Sequence, residues 1–451
     1  MKKQIKIGNA QAFWGDQPGA AARLVETCPD LDFLTLDYLA EVSLSIMAIQ
    51  RERDPDAGYA RDFLEVVRSL LPVWNAGGTV KVITNAGGLN PPGCAREIRA
   101  ILDEAGLANR NVGVVTGDDV LELLRSGEPS SFKNTETAEP FDSIRDRLRT
   151  ANAYIGATPV AEALRAGADI VVTGRVADPS LTVGAAIAAF DWQTDDWDRI
   201  AAATVAGHLI ECGTQMTGGC STDWMDVPGQ ADLGFPIIEM EADGSFVATK
   251  AESTGGRVSL QTVKEQLLYE IGDPGRYLSP DATVSFLGLD LEELGKDRIK
   301  ITGARGGPPP VTYKVSATWH DGFRAEGMLV IVGNNAVAKA RRAGEVLIER
   351  IERKGFVPDR TAMEVIGSGD VTGGAMGRRT DLVECVLRVA VFSTDRAVAD
   401  AFAKEVAPLV TSGPQGVTGY TSGRPKVRPV FGYWPCLIDR ENVKPRMEIV
   451  S

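Results

Sequence analysis

The chain has 451 residues, enough for two or three domains at roughly 100–200 residues each. Its 44% hydrophobic and 24% charged residues suit a globular protein with a buried core, which excludes a mainly disordered chain. The 48 Lys and Arg stand against 61 Asp and Glu, a formal charge of −13 with no basic stripe, so no nucleic-acid partner is expected.

Six cysteines, Cys28, Cys94, Cys212, Cys220, Cys385 and Cys436, form no C-x-x-C pair, and only His208 and His320 could join them. No zinc spacing can be written from that set, so no structural zinc is expected; no cofactor is expected either. No stretch approaches the ~20 apolar residues of a membrane span, and the basic start Met1-Lys2-Lys3 leads into no continuous apolar run. A cytoplasmic protein that does not meet a membrane is the expectation.

Residues 1 to about 280 read as repeated strand-then-helix units. Ile5-Lys6-Ile7 opens as a strand, and Asp16 and Pro18 start a helix carrying Ala21, Leu24 and Val25. Phe33 to Leu36 is a second strand ending at Asp37. Leu39, Val42, Ile46 and Ile49 then fall on one helical face. Phe63, Val66, Val67, Leu70, Leu71 and Trp74 give a stronger helical period, with Pro72 expected to kink or end the last turn. Val80–Thr84, Val112–Thr116 and Asp169–Thr173 are apolar without alternation, as parallel strands covered on both faces are. Glu128 to Ser143 is polar and reads as an insertion or lid loop. The pattern changes after Pro280: strands at Ile299–Ile301, Thr312–Val315 and Met328–Val332, a helix from Ala336 to Arg353, a strand from Val386 to Phe392 and a helix from Ala397 to Leu409. The predicted class is α/β, a parallel-sheet main domain (1–280) with a smaller C-terminal α+β domain (281–451).

Polar residues collect after the predicted strands, where open parallel sheets place their ligand crevice: Asp37, Asn85, Asp118, Asp119 and Arg175. Each Asp or Asn among them could equally cap the following helix. The loop Asn85-Ala-Gly87-Gly88-Leu-Asn90 could offer backbone N–H groups to an anion, or be a tight turn. It is no P-loop, which argues against a nucleotide-dependent ligase. Arg175 offers a fork for a carboxylate or phosphate, unless it pairs with Asp178 to hold its own loop. His208, one helical turn before Cys212, is a candidate acid or base alongside Asp118 and Asp119. Gly218 and Gly219 form a second glycine-rich loop. Asp37, Glu41, Asp118 and Asp119 keep Mg²⁺ open as an alternative to a metal-free site.

The runs Trp14-Gly-Asp16, Asp37-Tyr-Leu-Ala-Glu41, Asn85 to Pro91, Gly117-Asp-Asp119, Gly174-Arg-Val-Ala-Asp-Pro179, Gly207-His-Leu-Ile-Glu-Cys212, Thr217-Gly-Gly219, Thr254-Gly-Gly256, Glu265 to Glu270 and Gly413 to Tyr420, in this order, resemble the acyclic terpene utilisation AtuA family. The resemblance implies a bacterial catabolic role on citronellol- and geraniol-type acids or their CoA thioesters, with a carbon–carbon lyase reaction suggested. The expected function is a lyase or hydro-lyase acting on a carboxylic acid or acyl-CoA, CoA entering only as part of the substrate. Asp118, Asp119 or His208 would move a proton, with Arg175, Asn85, Gly87, Gly88, Asn90, Asp37, Glu41, Asp178, Gly218 and Gly219 holding substrate. A non-catalytic acyl-CoA-binding or scaffolding subunit is the alternative. Many members carry a small extra C-terminal domain, so a separate protein of that type is an expected partner, as is a homo-oligomer.

Overall fold

The computed structural model describes residues 2–39, 42–421 and 423–450. Eight strands organise the first part of the chain: β1 (Gln4–Asn9), β2 (Phe33–Leu36), β3 (Lys81–Thr84), β4 (Val112–Thr116), β5 (Leu148–Ala153), β6 (Ile170–Thr173), β7 (Pro236–Glu241) and β8 (Phe246–Lys250). Five of them pair in parallel in the order β1-β2-β3-β6-β4, with Ile83 beside Val171 and Val114 beside Val172. The helices between them are α1 (Ala20–Thr27), α2 (Ser43–Arg53), α3 (Phe63–Asn75), α4 (Pro91–Glu104), α5 (Leu121–Ser126), α6 (Thr158–Arg165), α7 (Ser180–Phe190), α8 (Trp197–Glu211) and α9 (Leu260–Leu268).

Both sheet faces are covered, which is why these strands lack polar alternation. Leu34, Leu36, Val82, Val114 and Val172 share one core with the apolar sides of α1, α3 and α4. Ile5, Ile7, Ile83, Val115 and Val171, pointing the other way by the two-residue period of a strand, are fully buried. There α7 lies against β1, β2 and β3, and α6, α7 and α8 pack in succession.

The sheet is not parallel throughout. The hairpin β7–β8 joins β1 antiparallel, Arg298–Thr302 and Asp290–Gly295 extend it outward, and Arg446–Val450 closes the far edge against β4. The chain divides into two compact units, residues 1–318 with 433–451, and residues 319–432. The expected boundary near 280 is therefore displaced. Arg298–Thr302 satisfies the open edge of β8, so these strands belong to the first unit. The two strands expected at 312–315 and 328–332 are one, Thr312–Val332. In the second unit Arg360–Ile366, Glu384–Ser393, the later part of that strand and Val417–Tyr420 form a sheet. The helices Ala336–Arg353 and Arg396–Val406 complete a core of their own with it, through Leu347, Ile351, Phe402 and Val406.

Two local expectations are corrected. In α2 the buried side carries Leu44, Met47 and Ala48, while Val42 and Ile46 are exposed. Gly88 explains the choice, because a Cβ there would collide with the Met47 sulfur, so the helix seats Met47 against bare backbone. The segment 128–143 is no free lid. Phe132 and Phe141 are buried edge-to-face, Phe141 meets Trp434 in the same way, and the Trp434 Nε1 donates to the Phe132 carbonyl at 2.9 Å.

Candidate functional site

The carboxyl ends of β2, β3 and β6 supply one side of the site. Here the chain leaves β3 towards α4 and leaves β6 towards α7, which lie on opposite faces, so the loops diverge and leave a crevice. Asp37, directly after β2, is 5% exposed; its Oδ1 accepts from Leu39 N at 3.1 Å and from Asn85 Nδ2 at 2.7 Å. Asn85 Oδ1 in turn accepts from Tyr38 N at 2.6 Å, tying the loops after β2 and β3 together.

After β6 the Arg175 guanidinium is almost wholly buried. It donates to Asp178 at 2.7 Å and to the Leu39 carbonyl, and lies 4.0 Å over the Tyr154 ring. Asp118 sits beneath this loop: its Oδ2 accepts from Arg175 N at 2.7 Å and from Asn152 Nδ2 at 2.8 Å. Burial pushes its pKa up to about 6 against those two bonds.

The other side comes from α8 and α9. The Asn9 side chain, at the end of β1, donates to the Ile210 and Glu211 carbonyls at 2.5 and 3.0 Å, fixing the last turn of α8. Ser259 and Thr262 form a reciprocal cap that starts α9 and so places Gln266. Gln266 brackets His208: the imidazole Nε2 donates to its carbonyl at 2.9 Å, and its amide donates to the His208 carbonyl at 3.2 Å. A carbonyl only accepts, so Nε2 carries the proton. Burial holds the His208 pKa down, leaving a neutral ring whose Nδ1 is an acceptor. Glu211 Oε1 lies 3.1 Å from it. Burial, and then the charges of Asp178 and Glu270, hold Glu211 well above the usual carboxylate range. With the proton on Nε2, the Nδ1 lone pair faces the Glu211 carboxyl. The second oxygen, Oε2, is buried without a hydrogen-bond partner among the described residues.

Asp178, Glu211 and Glu270 line two cavities at once. One, about 390 Å³, also meets Asp37, Arg175 and Gly219. The other, about 430 Å³, also meets His208, Tyr277, Leu278 and Lys314. Asp37 too is held well above the carboxylate range, by burial first and the Asp178 charge second, with Arg175 opposing. Two carboxyls held above the usual carboxylate range, an imidazole held below its ordinary value and one buried guanidinium thus stand together. A larger cavity, about 880 Å³, contains the exposed Asp119 with Arg149, Lys444 and Arg446, but neither a His nor a buried acid.

The structure redistributes the expected roles. It gathers Asp37, Arg175, Asp178, His208 and Gly219 in one place. Asp118 holds backbone and lines neither cavity, and Asp119 opens on a different one. The Asn85–Asn90 loop is a packed turn: the amides of Ala86, Gly88, Leu89 and Asn90 all have internal acceptors. A Cβ at Gly87 would stand 2.5 Å from the Thr173 carbonyl, and Asn90 caps α4 by accepting from Gly93 N at 3.0 Å. Gly218, at φ +108°, makes a turn whose missing Cβ would press on Val227 at 2.8 Å. Glu41 lies outside the described residues. Among them, no group of three or more His, Cys, Asp or Glu side chains is arranged to hold a metal ion. Glu211, Glu270 and Gln266 join the site without being among the residues expected from the sequence. The spacing His208-x-x-Glu211, which puts both on one helical face, was the available signal.

No helix of the described residues is long and apolar enough to cross a membrane. No curated protein matches the chain. A profile of the acyclic terpene utilisation family protein AtuA matches residues 5–449, nearly the whole length. The chain belongs to the AtuA family.

Proposed function

We propose that this chain is a catabolic enzyme of lyase or hydro-lyase type that moves a proton on a carboxylic acid or its acyl thioester. The observation that carries this reading is the buried Glu211–His208 couple on the wall between two cavities. Glu211 Oε2 takes a proton from a substrate carbon or water while the proton on Oε1 passes to His208 Nδ1. The resulting imidazolium keeps its Nε2–H on the Gln266 carbonyl and faces the Glu270 and Asp178 charges. Reversal returns the proton, so the couple serves as base and then acid. Asp37, held above the usual carboxylate range on the first cavity, is a second group able to hold a proton beside Glu211. The family description, acyclic terpene utilisation, supports a branched apolar acid as substrate class.

The test is Glu211→Gln, which keeps size and burial but cannot relay a proton. Cleavage and hydration of acyl-CoA thioesters and of free acids are assayed with the purified chain. A fall of about 10²–10⁴-fold in turnover, with substrate affinity largely kept, is expected. Activity within a few-fold of the unaltered chain would refute it. A wild-type chain that binds these compounds without turnover would instead be the non-catalytic acyl-binding subunit.

A further inference from the structure

Arg175, the natural anion partner in the sequence, has two of its guanidinium nitrogens bonded within the protein, one to Asp178 and one to Leu39, and lies flat on Tyr154. A substrate carboxylate would have to displace Asp178 to reach it. The 430 Å³ cavity offers another cation. Among the described residues that line it, Lys314 is the sole Lys or Arg. Lys314 stands near the start of the strand Thr312–Val332, where its backbone carbonyl accepts from Tyr154 N at 2.9 Å. That bond sets it beside the same aromatic ring, with Nζ 4.9 Å from the Tyr154 centroid. The side chain is exposed and makes no ion pair among the described residues. An ammonium on an aromatic ring, free of a carboxylate, is ready to accept one.

From this, and resting on the proposed function, we infer that Lys314 anchors the carboxylate of a free monoacid whose apolar body lies in the same cavity. Tyr277, Leu278, Pro280, Pro310 and Leu437 supply apolar surface for that body, and Glu211 and His208 stand on its wall. The acids Asp178 and Glu270 disfavour a second negative charge there, so a dicarboxylate or phosphate is rejected. The substrate entering this cavity is thus the free acid, not its thioester, which carries no charge at that end.

The experiment is calorimetric titration of the whole chain with citronellate, an acyclic terpenoid monocarboxylate, with its neutral primary amide, and with its N-acetylcysteamine thioester. The unaltered chain binds the acid about tenfold more tightly than either neutral compound. Lys314→Met brings the acid down to the level of the amide and leaves the amide unchanged. Lys314→Arg keeps most of the preference, and the melting temperatures of both variants stay near that of the unaltered chain. Equal binding of the acid by the Met variant, or a thioester bound as tightly as the acid, overturns the anchor while the proton relay stands. Binding of none of the three compounds overturns the anchor together with the substrate class. Loss of turnover in Glu211→Gln decides the relay separately.

Discussion

Arg175 joins three parts of the site through one side chain, and its removal should be felt first as instability. In Arg175→Met the buried Leu39 carbonyl loses its donor and Asp178 its counter-charge. Asp178 is 33% exposed, so water screens part of the loss, and a cost of roughly 1–3 kcal/mol is expected. Urea denaturation and ligand titration on the same variant separate stability from affinity. Unchanged stability with lost affinity would restore Arg175 as the ligand's own clamp. Asp118 gives a pH signature. Its folded pKa, about 6, is above the ordinary 3.8, so the folded chain binds the extra proton between those values. Stability contributed by this group is present at low pH and falls as pH rises from about 4 to 6, by up to about 3 kcal/mol. Asp118→Asn keeps an oxygen for Arg175 N and Asn152 while removing the titration. Its stability curve should be flatter than the parent's across that window. Parallel curves for the two chains would show that the carboxyl is not held protonated.

At the scale of elements, the sequence was most informative where burial is two-sided. Unbroken apolar runs marked β2, β3, β4 and β6, and the loops after β2 and β6 do meet at the site. The hairpin β7–β8 has a short turn signal, Asp243-Gly244 at its tip, with Gly244 at φ +94° as a tight hairpin turn requires. In α2 the apolar period pointed to the wrong face, because the deciding partner was a glycine distant in sequence. Asn90 could be read as anion donor or as cap, and the two readings differ in what its loss does. As the cap of α4, with further bonds to the Asp56 and Ala57 carbonyls at 3.0 and 3.1 Å, it should cost about 1–2 kcal/mol in Asn90→Ala. Thermal unfolding measures this, and turnover per folded molecule should not change. A drop in substrate affinity with full stability would point back to an anion-holding loop.

At the scale of the molecule, the division of the chain follows from a strand that runs on rather than turning back. Thr312–Val332 begins among residues of the first unit and ends in the sheet of the second, and Arg428–Asp439, which pairs with it, returns. A reading by local pattern splits such a strand at His320-Asp321-Gly322, where the apolar run is interrupted. Charge follows the same division: residues 319–432 hold sixteen Lys and Arg against thirteen Asp and Glu, so the acidic excess lies wholly in the other unit. Each unit has its own core, one built on the apolar sides of α1, α3 and α4, the other on the helices Ala336–Arg353 and Arg396–Val406. The site residues Asp37, Arg175, His208, Glu211 and Lys314 all belong to the first unit. Residues 319–432 should therefore be removable, with Thr318 joined to Tyr433 through an Asn-Gly turn of the kind that closes paired strands. The shortened chain is expected to unfold in one cooperative transition and to keep the ligand affinity of the full chain within a few-fold. Circular dichroism melting with parallel titration checks both. A molten product without a transition would show that the first core does not stand without the inserted unit.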